Sequence, residues 1–208
     1  MHEAYRMAVL TRRIVLMFTA AALLGACGAR TPPAPARSDV TGAVSACTAP
    51  ADAFLRARLR GAIEADLAWG AADLQCEGGV RPDGSGIRVS LAGPLNASGQ
   101  RVRLVFGMAV PPGAASNRAV PTNVTLILEG ANRVYATLGP DKCSVDALQQ
   151  QPAGTSGAAG DYWVSARGFC VEPASTLDGS ERVLLSRFDF RGRIHVDDAD
   201  LHGRANST

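Results

Sequence analysis

The sequence has 208 residues, enough for one ordinary domain or two small ones. Apolar residues make up 47% and charged residues 19% of the chain, which predicts a packed core and excludes wholesale disorder. The formal net charge is +2, but the first 26 residues hold three arginines and one glutamate, so 18 basic and 18 acidic residues remain beyond them. That balance disfavours a basic nucleic-acid-binding protein, and the aromatic content of 5% disfavours an aromatic-lined sugar or base platform.

The N-terminus combines a basic pair with a short apolar run. Arg12 and Arg13 precede residues 14–24, which are all apolar or small, a pattern typical of a signal peptide whether translation starts at Met1 or at Met7. The run is shorter than the roughly 20 residues that a membrane-spanning helix needs. We therefore expect an export signal at this end of the chain.

The apolar run closes on the tetrapeptide Leu24, Gly25, Ala26 and Cys27. A leucine, two small residues and a cysteine in this context resemble the lipobox of bacterial lipoprotein precursors. The resemblance implies cleavage between Ala26 and Cys27, a diacylglyceryl thioether on Cys27 and further acylation of the new N-terminus. Two or three acyl chains hold a protein durably on a membrane. Because Gly28 and not aspartate follows the cysteine, the resemblance also implies the outer membrane, with the domain facing the periplasm.

The rest of the chain divides by composition. Residues 1–26 form the expected signal peptide, and residues 27–46 hold the lipidated cysteine and a tether rich in proline and alanine. Residues 47–201 are expected to form a single globular domain, which is long enough for one core. Residues 202–208 are polar, and we expect a disordered tail there.

Residues 52–69 show apolar side chains at three- and four-residue steps, among them Leu55, Leu59, Ile63 and Leu67. This spacing predicts an amphipathic helix. Beyond it the apolar period changes to two, and strands are predicted over residues 87–92, 101–110, 123–129, 133–138, 162–171 and 182–196. The expected fold class is therefore α+β, with one N-terminal helix packed on a mainly antiparallel sheet or small β-sandwich.

Four cysteines remain once Cys27 is set aside, and an even number in an exported chain predicts two disulfides. Three pairings are open, of which we favour Cys47–Cys76 and Cys143–Cys170. A zinc site or a redox pair is the competing interpretation, but the sequence contains no C-x-x-C motif.

The last predicted strand carries a polar pattern with a period of two. Arg187, Asp189, Arg191, Arg193 and His195 fall on one face, which makes the basic members a candidate ligand face for phosphate or carboxylate groups. The competing interpretation is the ordinary solvated side of a half-buried sheet. No nucleophile elbow, phosphate-binding loop or zinc-protease motif occurs, so no catalytic residues and no cofactor are expected.

Two clusters of acidic residues are candidate cation sites. His195, Asp197, Asp200 and His202 lie close together near the C-terminus, and Asp141 and Asp146 flank Cys143. Carboxylates at such spacing can hold calcium. A solvated acidic terminus and an ordinary polar turn are the competing interpretations, and we expect no metal.

Three functions follow from these patterns. The first is a non-catalytic, lipid-anchored envelope lipoprotein that binds a protein or polymer partner but no nucleic acid. The second is a hydrolytic or metal-dependent periplasmic enzyme that uses the Asp/His-rich C-terminal end. The third is a module that binds an envelope polymer, or acts as an inhibitor, through the arginine-lined strand face.

Overall fold

The computed structural model describes residues 52–154 and 159–202, with only the backbone of the last two. In this part of the chain, none of the helices has the length and apolar character that crossing a membrane requires. The described elements are eleven strands and one short helix: β1 (Phe54–Gly61), β2 (Ala65–Trp69), β3 (Gln75–Val80), β4 (Ile87–Pro94), β5 (Arg101–Met108), β6 (Val120–Glu129), β7 (Arg133–Ala136), β8 (Cys143–Pro152), β9 (Gly160–Cys170), β10 (Ala174–Ser175), β11 (Arg182–Val196) and α1 (Asp198–His202).

The predicted N-terminal helix is wrong, and with it the α+β fold class. Residues 52–69 form a hairpin of β1 and β2, in an almost entirely β structure. The spacing of four that relates Leu55, Leu59 and Ile63 fits a helix turn, but it also fits every second inward position of a strand. The deciding signal is the strict alternation of buried and solvent-facing residues along β1. Gly61 ends β1 at a positive φ of 114°, where its missing Cβ avoids a clash with the backbone carbonyl of Arg182.

The strands form one antiparallel sheet that folds over on itself into two layers. The hydrogen-bonded order is β2-β1-β11-β10-β7-β6-β5-β4-β3, and β8 and β9 connect β6 back to β11. One layer contains β2, β1, β11, β9 and β8, and the other contains β3 to β7. Strand β10 joins the two layers at one end. Strands β6 and β7 form a hairpin across the short turn at residues 130–132, with Leu128 paired to Arg133.

The core lies between the two layers. Phe106 of β5 packs against Phe188 and Phe190 of β11, with ring centroids 4.9 Å and 4.6 Å apart, and all three side chains are fully buried. Where β11 crosses β4, a Cβ on Gly192 would lie 2.9 Å from Leu91. The glycine therefore allows a close approach of the two layers, and β11 runs unbroken through this position.

Strand β11 has its irregularity six residues earlier. Its register with β1 shifts between the pair Arg58–Arg187 and the pair Leu59–Leu185, so that Ser186 is an extra residue. After this bulge the alternation predicted from the sequence holds. Before it the faces are exchanged, and Leu185, not Leu184, points into the core.

The predicted disulfide between Cys143 and Cys170 is confirmed. The two cysteines are directly paired residues of β8 and β9, 27 positions apart in sequence, and both are buried. Cys76 is buried in β3, whereas Cys47 lies outside the described residues, so the pairing Cys47–Cys76 stays a prediction. The predicted signal peptide, Cys27 and the predicted tether also lie outside the described residues.

Candidate anion-binding groove

The structure places the candidate ligand face on the outer surface of the β11 layer. Arg187, Asp189, Arg191, Arg193 and His195 all point outward, because each alternates with a buried residue of β11 and the bulge lies before them. The row extends over eight residue steps, or about 27 Å of strand. Sequence reasoning found this row, but not the strands that lie beside it.

Neighbouring strands turn one end of the row into a groove. Strand β1 lies on one side of β11 and β9 on the other. Together with β2 and β8 they surround an open depression of about 1030 Å³. Its walls carry four arginines and three aspartates: Arg56, Arg58, Arg167, Arg187, Asp66, Asp146 and Asp189. Phe169, which is 39% exposed, and Ala68 add apolar surface.

Asp189 lies at the centre of the arginines. In the strand register it is paired with Arg56 of β1 and with Arg167 of β9. Arg187 and Arg191 are two positions away along β11, on the same face. The carboxylate of the half-buried Asp189 nevertheless makes no hydrogen bond or ion pair with any other residue of the described segments.

Only part of the positive charge of the groove is compensated. Asp66 accepts a hydrogen bond of 3.0 Å from Nε of Arg58 and another of 3.0 Å from Arg60. Burial alone would raise the pKa of Asp66, but these two arginines outweigh it and lower the pKa. By contrast, Arg56, Arg167 and Arg187 have no carboxylate within 4.0 Å in residues 52–154 and 159–202.

The register adds a repulsion between like charges. Arg58 of β1 is paired directly with Arg187 of β11, and like charges in opposed positions of a sheet destabilise it. Of the two, only Arg58 has a carboxylate partner among the described residues. An anion in the groove would relieve this repulsion.

Arg191 connects the groove to the other end of the row. Its guanidinium lies over the ring of Trp163, 5.4 Å from the centroid, and 3.9 Å from the exposed carboxylate of Asp52. Its Nε is buried without a hydrogen-bond partner. Arg191 therefore has donor capacity that the described residues leave unused.

The far end of the row is internally paired. Asp161 accepts hydrogen bonds from Arg193 and from Nδ1 of His195, the latter at 2.9 Å. The other ring nitrogen of His195 lies 3.1 Å from Asp197. Burial alone would raise the pKa of Asp161, but Arg193 and His195 lower it. The hydrogen bond with Asp161 raises the pKa of His195, with a smaller contribution from Asp197 and an opposing one from burial.

Among the candidate cation ligands, His195 and Asp197 lie within hydrogen-bond distance of each other. Asp200 folds back and accepts a hydrogen bond from the backbone N–H of Asp197, while the side chain of His202 lies outside the described residues. Within the described part of the chain, no group of three or more His, Cys, Asp or Glu residues is arranged to hold a metal ion. Asp146 points into the groove, away from such a role.

The sequence-based hypothesis missed Arg56, Arg58 and Arg167, which belong to the groove. The two β1 arginines lie in the segment that was predicted as a helix, although their alternation with Leu55, Ala57 and Leu59 indicates a strand. Comparisons of this chain with protein families, with curated proteins and with solved structures give no match.

Proposed function

We propose that this protein is a non-catalytic binding module that holds an anionic ligand in the groove between β1, β11 and β9. The observation that carries the proposal is the set of three guanidinium groups, on Arg56, Arg167 and Arg187, that face one depression without a carboxylate within 4.0 Å among the described residues. A guanidinium offers a planar pair of donors that matches phosphate or carboxylate oxygens. Sheet pairing fixes the backbone positions of the three arginines, which lowers the ordering cost of binding.

We also propose that the ligand is a component of the bacterial envelope. The lipobox at residues 24–27 supports a lipid anchor on Cys27, and the proline-rich tether would hold the domain away from the bilayer. The Cys143–Cys170 disulfide is consistent with this proposal, because such bonds persist in oxidising compartments. Gly28 supports the outer membrane, with the domain on the periplasmic side.

A metal-dependent or hydrolytic use of the C-terminal end is the competing proposal. Both ring nitrogens of His195 lie within hydrogen-bond distance of carboxylates. A ring that donates to both is the imidazolium, which has no lone pair for a metal ion or for proton abstraction. This arrangement favours the binding module over the enzyme.

Titration of the full-length protein in detergent with polyphosphate and with polygalacturonate tests the proposal. We expect at least one of them to bind, with an affinity that falls as salt rises. Arg167→Ala and Arg187→Ala should each weaken that binding about tenfold or more, the usual effect of losing a charged hydrogen bond. Arg88→Ala, an exposed arginine of β4 outside the groove, is the matched control. Equal losses in all three variants, or no binding of either polymer, would refute the proposal.

A further inference from the structure

The groove also carries two carboxylates that accept no hydrogen bond from an arginine. Asp146 on β8 and Asp189 on β11 both line the depression, and neither carboxylate makes a hydrogen bond or ion pair with another described residue. They lie among guanidinium groups that are themselves without carboxylate partners. Donors and acceptors are therefore both available on the same wall.

This mixture is informative about the ligand, because carboxylates and guanidinium groups need different partners. A chain that carries only phosphate or carboxylate groups supplies acceptors for the arginines, but it has no donor for Asp189 and is repelled by it. A hydroxyl-rich anion supplies both, since its hydroxyls donate to the carboxylates while its charged groups accept from the arginines.

The strand register sets the spacing between the Cα atoms of the two arginines that flank Asp189. Arg56 and Arg167 flank Asp189 on the two neighbouring strands, so their Cα atoms are about 10 Å apart at the usual strand spacing. A ligand with two anionic groups and a hydroxyl-bearing unit between them matches this spacing, with one anionic group on each arginine and the hydroxyls near Asp189. The partly exposed ring of Phe169 gives the same groove an apolar surface for the C–H face of one sugar.

We infer that the groove binds a short stretch of an acidic glycan, with its charged substituents on Arg56, Arg167 and Arg187 and its hydroxyls on Asp189 and Asp146. This inference rests on the proposed function and narrows its ligand to one class. Single-stranded RNA, which also carries hydroxyls and negative charge, is the competing ligand, and the balance of 18 basic and 18 acidic residues beyond residue 26 disfavours it.

The decisive experiment compares how two ligands respond to one substitution. Trigalacturonic acid and a short polyphosphate are titrated into the full-length protein in detergent, before and after Asp189→Asn. We expect trigalacturonate to bind several-fold more weakly to the variant, because an amide is a poorer acceptor than a carboxylate. We expect polyphosphate to bind several-fold more tightly, because a repulsive charge is gone. Asp73→Asn, at an exposed aspartate outside the groove, should change neither.

The other outcomes of these titrations distinguish failure of the glycan inference from failure of the proposed function. If Asp189→Asn strengthens the binding of both ligands, Asp189 only repels anions and the glycan inference is wrong, while the proposed anion-binding function stands. If neither ligand nor polygalacturonate binds the unaltered protein, the proposed function fails. Tighter binding of single-stranded RNA than of trigalacturonate overturns the glycan class. Should Asp189→Asn fail to fold, Asp146→Asn at an exposed position of β8 provides the same comparison.

Discussion

Arg58 and Arg187 lie directly opposite each other on neighbouring antiparallel strands, so two positive side chains share one cross-strand position. A protein selected only for stability would place an opposite charge in one of these positions. The pair is instead part of a groove in which Asp66 compensates Arg58, while Arg187 has no carboxylate within 4.0 Å among the described residues. Stability and ligand binding therefore make opposite demands on Arg187.

We predict that Arg187→Ala stabilises the protein in the absence of ligand. Relief of the repulsion from Arg58 should raise Tm by about 1 to 3 °C at low ionic strength. The gain should shrink at high salt, because screening already removes much of the repulsion. Thermal unfolding followed by circular dichroism at two salt concentrations measures it. A lower Tm in the variant, or a gain that is independent of salt, would contradict the prediction.

The aromatic cluster between the layers should dominate the effect of core substitutions. Phe106→Ala removes a fully buried ring that packs on both Phe188 and Phe190. We expect a loss of about 3 to 5 kcal/mol in the free energy of unfolding, measured by urea denaturation. Phe169→Ala, at a partly exposed aromatic residue of the same sheet, serves as the control. Comparable losses in the two variants would place the core elsewhere.

The Cys143–Cys170 bond closes a loop of 27 residues. Replacing both cysteines by alanine should lower the free energy of unfolding by about 3 to 4 kcal/mol, chiefly because the unfolded chain becomes less constrained. Denaturation of the double variant measures this loss.

Peptide mapping of the native protein under non-reducing conditions checks the second predicted bridge, for which we expect a Cys47–Cys76 fragment. A Cys47–Cys170 or Cys76–Cys143 fragment would be inconsistent with the favoured pairing.

His195 should make stability depend on pH. Its pKa in the folded protein is raised above the ordinary value of 6.5, first by Asp161 and then by Asp197. The stabilisation is therefore fully present below pH 6.5 and is lost as the pH rises through the folded-state pKa. We expect His195→Gln to flatten the fall in stability over this interval. Unfolding of both proteins by urea across the range measures it, and parallel pH curves would show that His195 contributes nothing. Since His195 is mostly exposed, the effect should be small.

The lipobox makes a prediction that does not depend on the fold. In a bacterial host grown with labelled palmitate, the unaltered protein should incorporate label and sediment with membranes. Cys27→Ser should abolish both, because the acyl chains attach to that thiol. Cys143→Ser, which removes a different cysteine, should leave the label in place. Labelling of the Cys27→Ser variant would refute the lipobox interpretation.

Local patterns predicted much of the sheet but not its pairing. The period-two alternation in 101–110 and 182–196 places the strands correctly, because these strands have one face in the core. Strand β8 escaped detection, since its bulge between Val145 and Ala147 interrupts the alternation. The N-terminal hairpin was taken for a helix because leucines four positions apart satisfy both geometries.

The groove could be predicted only in part for a related reason. Arg187 and Asp189 share one strand, so their common face follows from the sequence alone. Arg56 and Arg167 join them through pairings that connect residues 133 and 22 positions from Asp189. No local pattern encodes such partners.

Among the strands that the structure describes, β11 is the last to be synthesised, yet it is hydrogen-bonded to β1, the first of them. It pairs with β1 and β9 along most of its length and packs against β3 and β4 from the opposite layer. Until the ribosome has released this segment, β1 lacks one of the two strands with which it pairs. The core side chains of the opposite layer then have no β11 to pack against. Sequence-distant pairing of this kind also makes folding slow. A nascent polypeptide built in this way stays unfolded until β11 emerges, which is what the proposed export through a translocation channel would require.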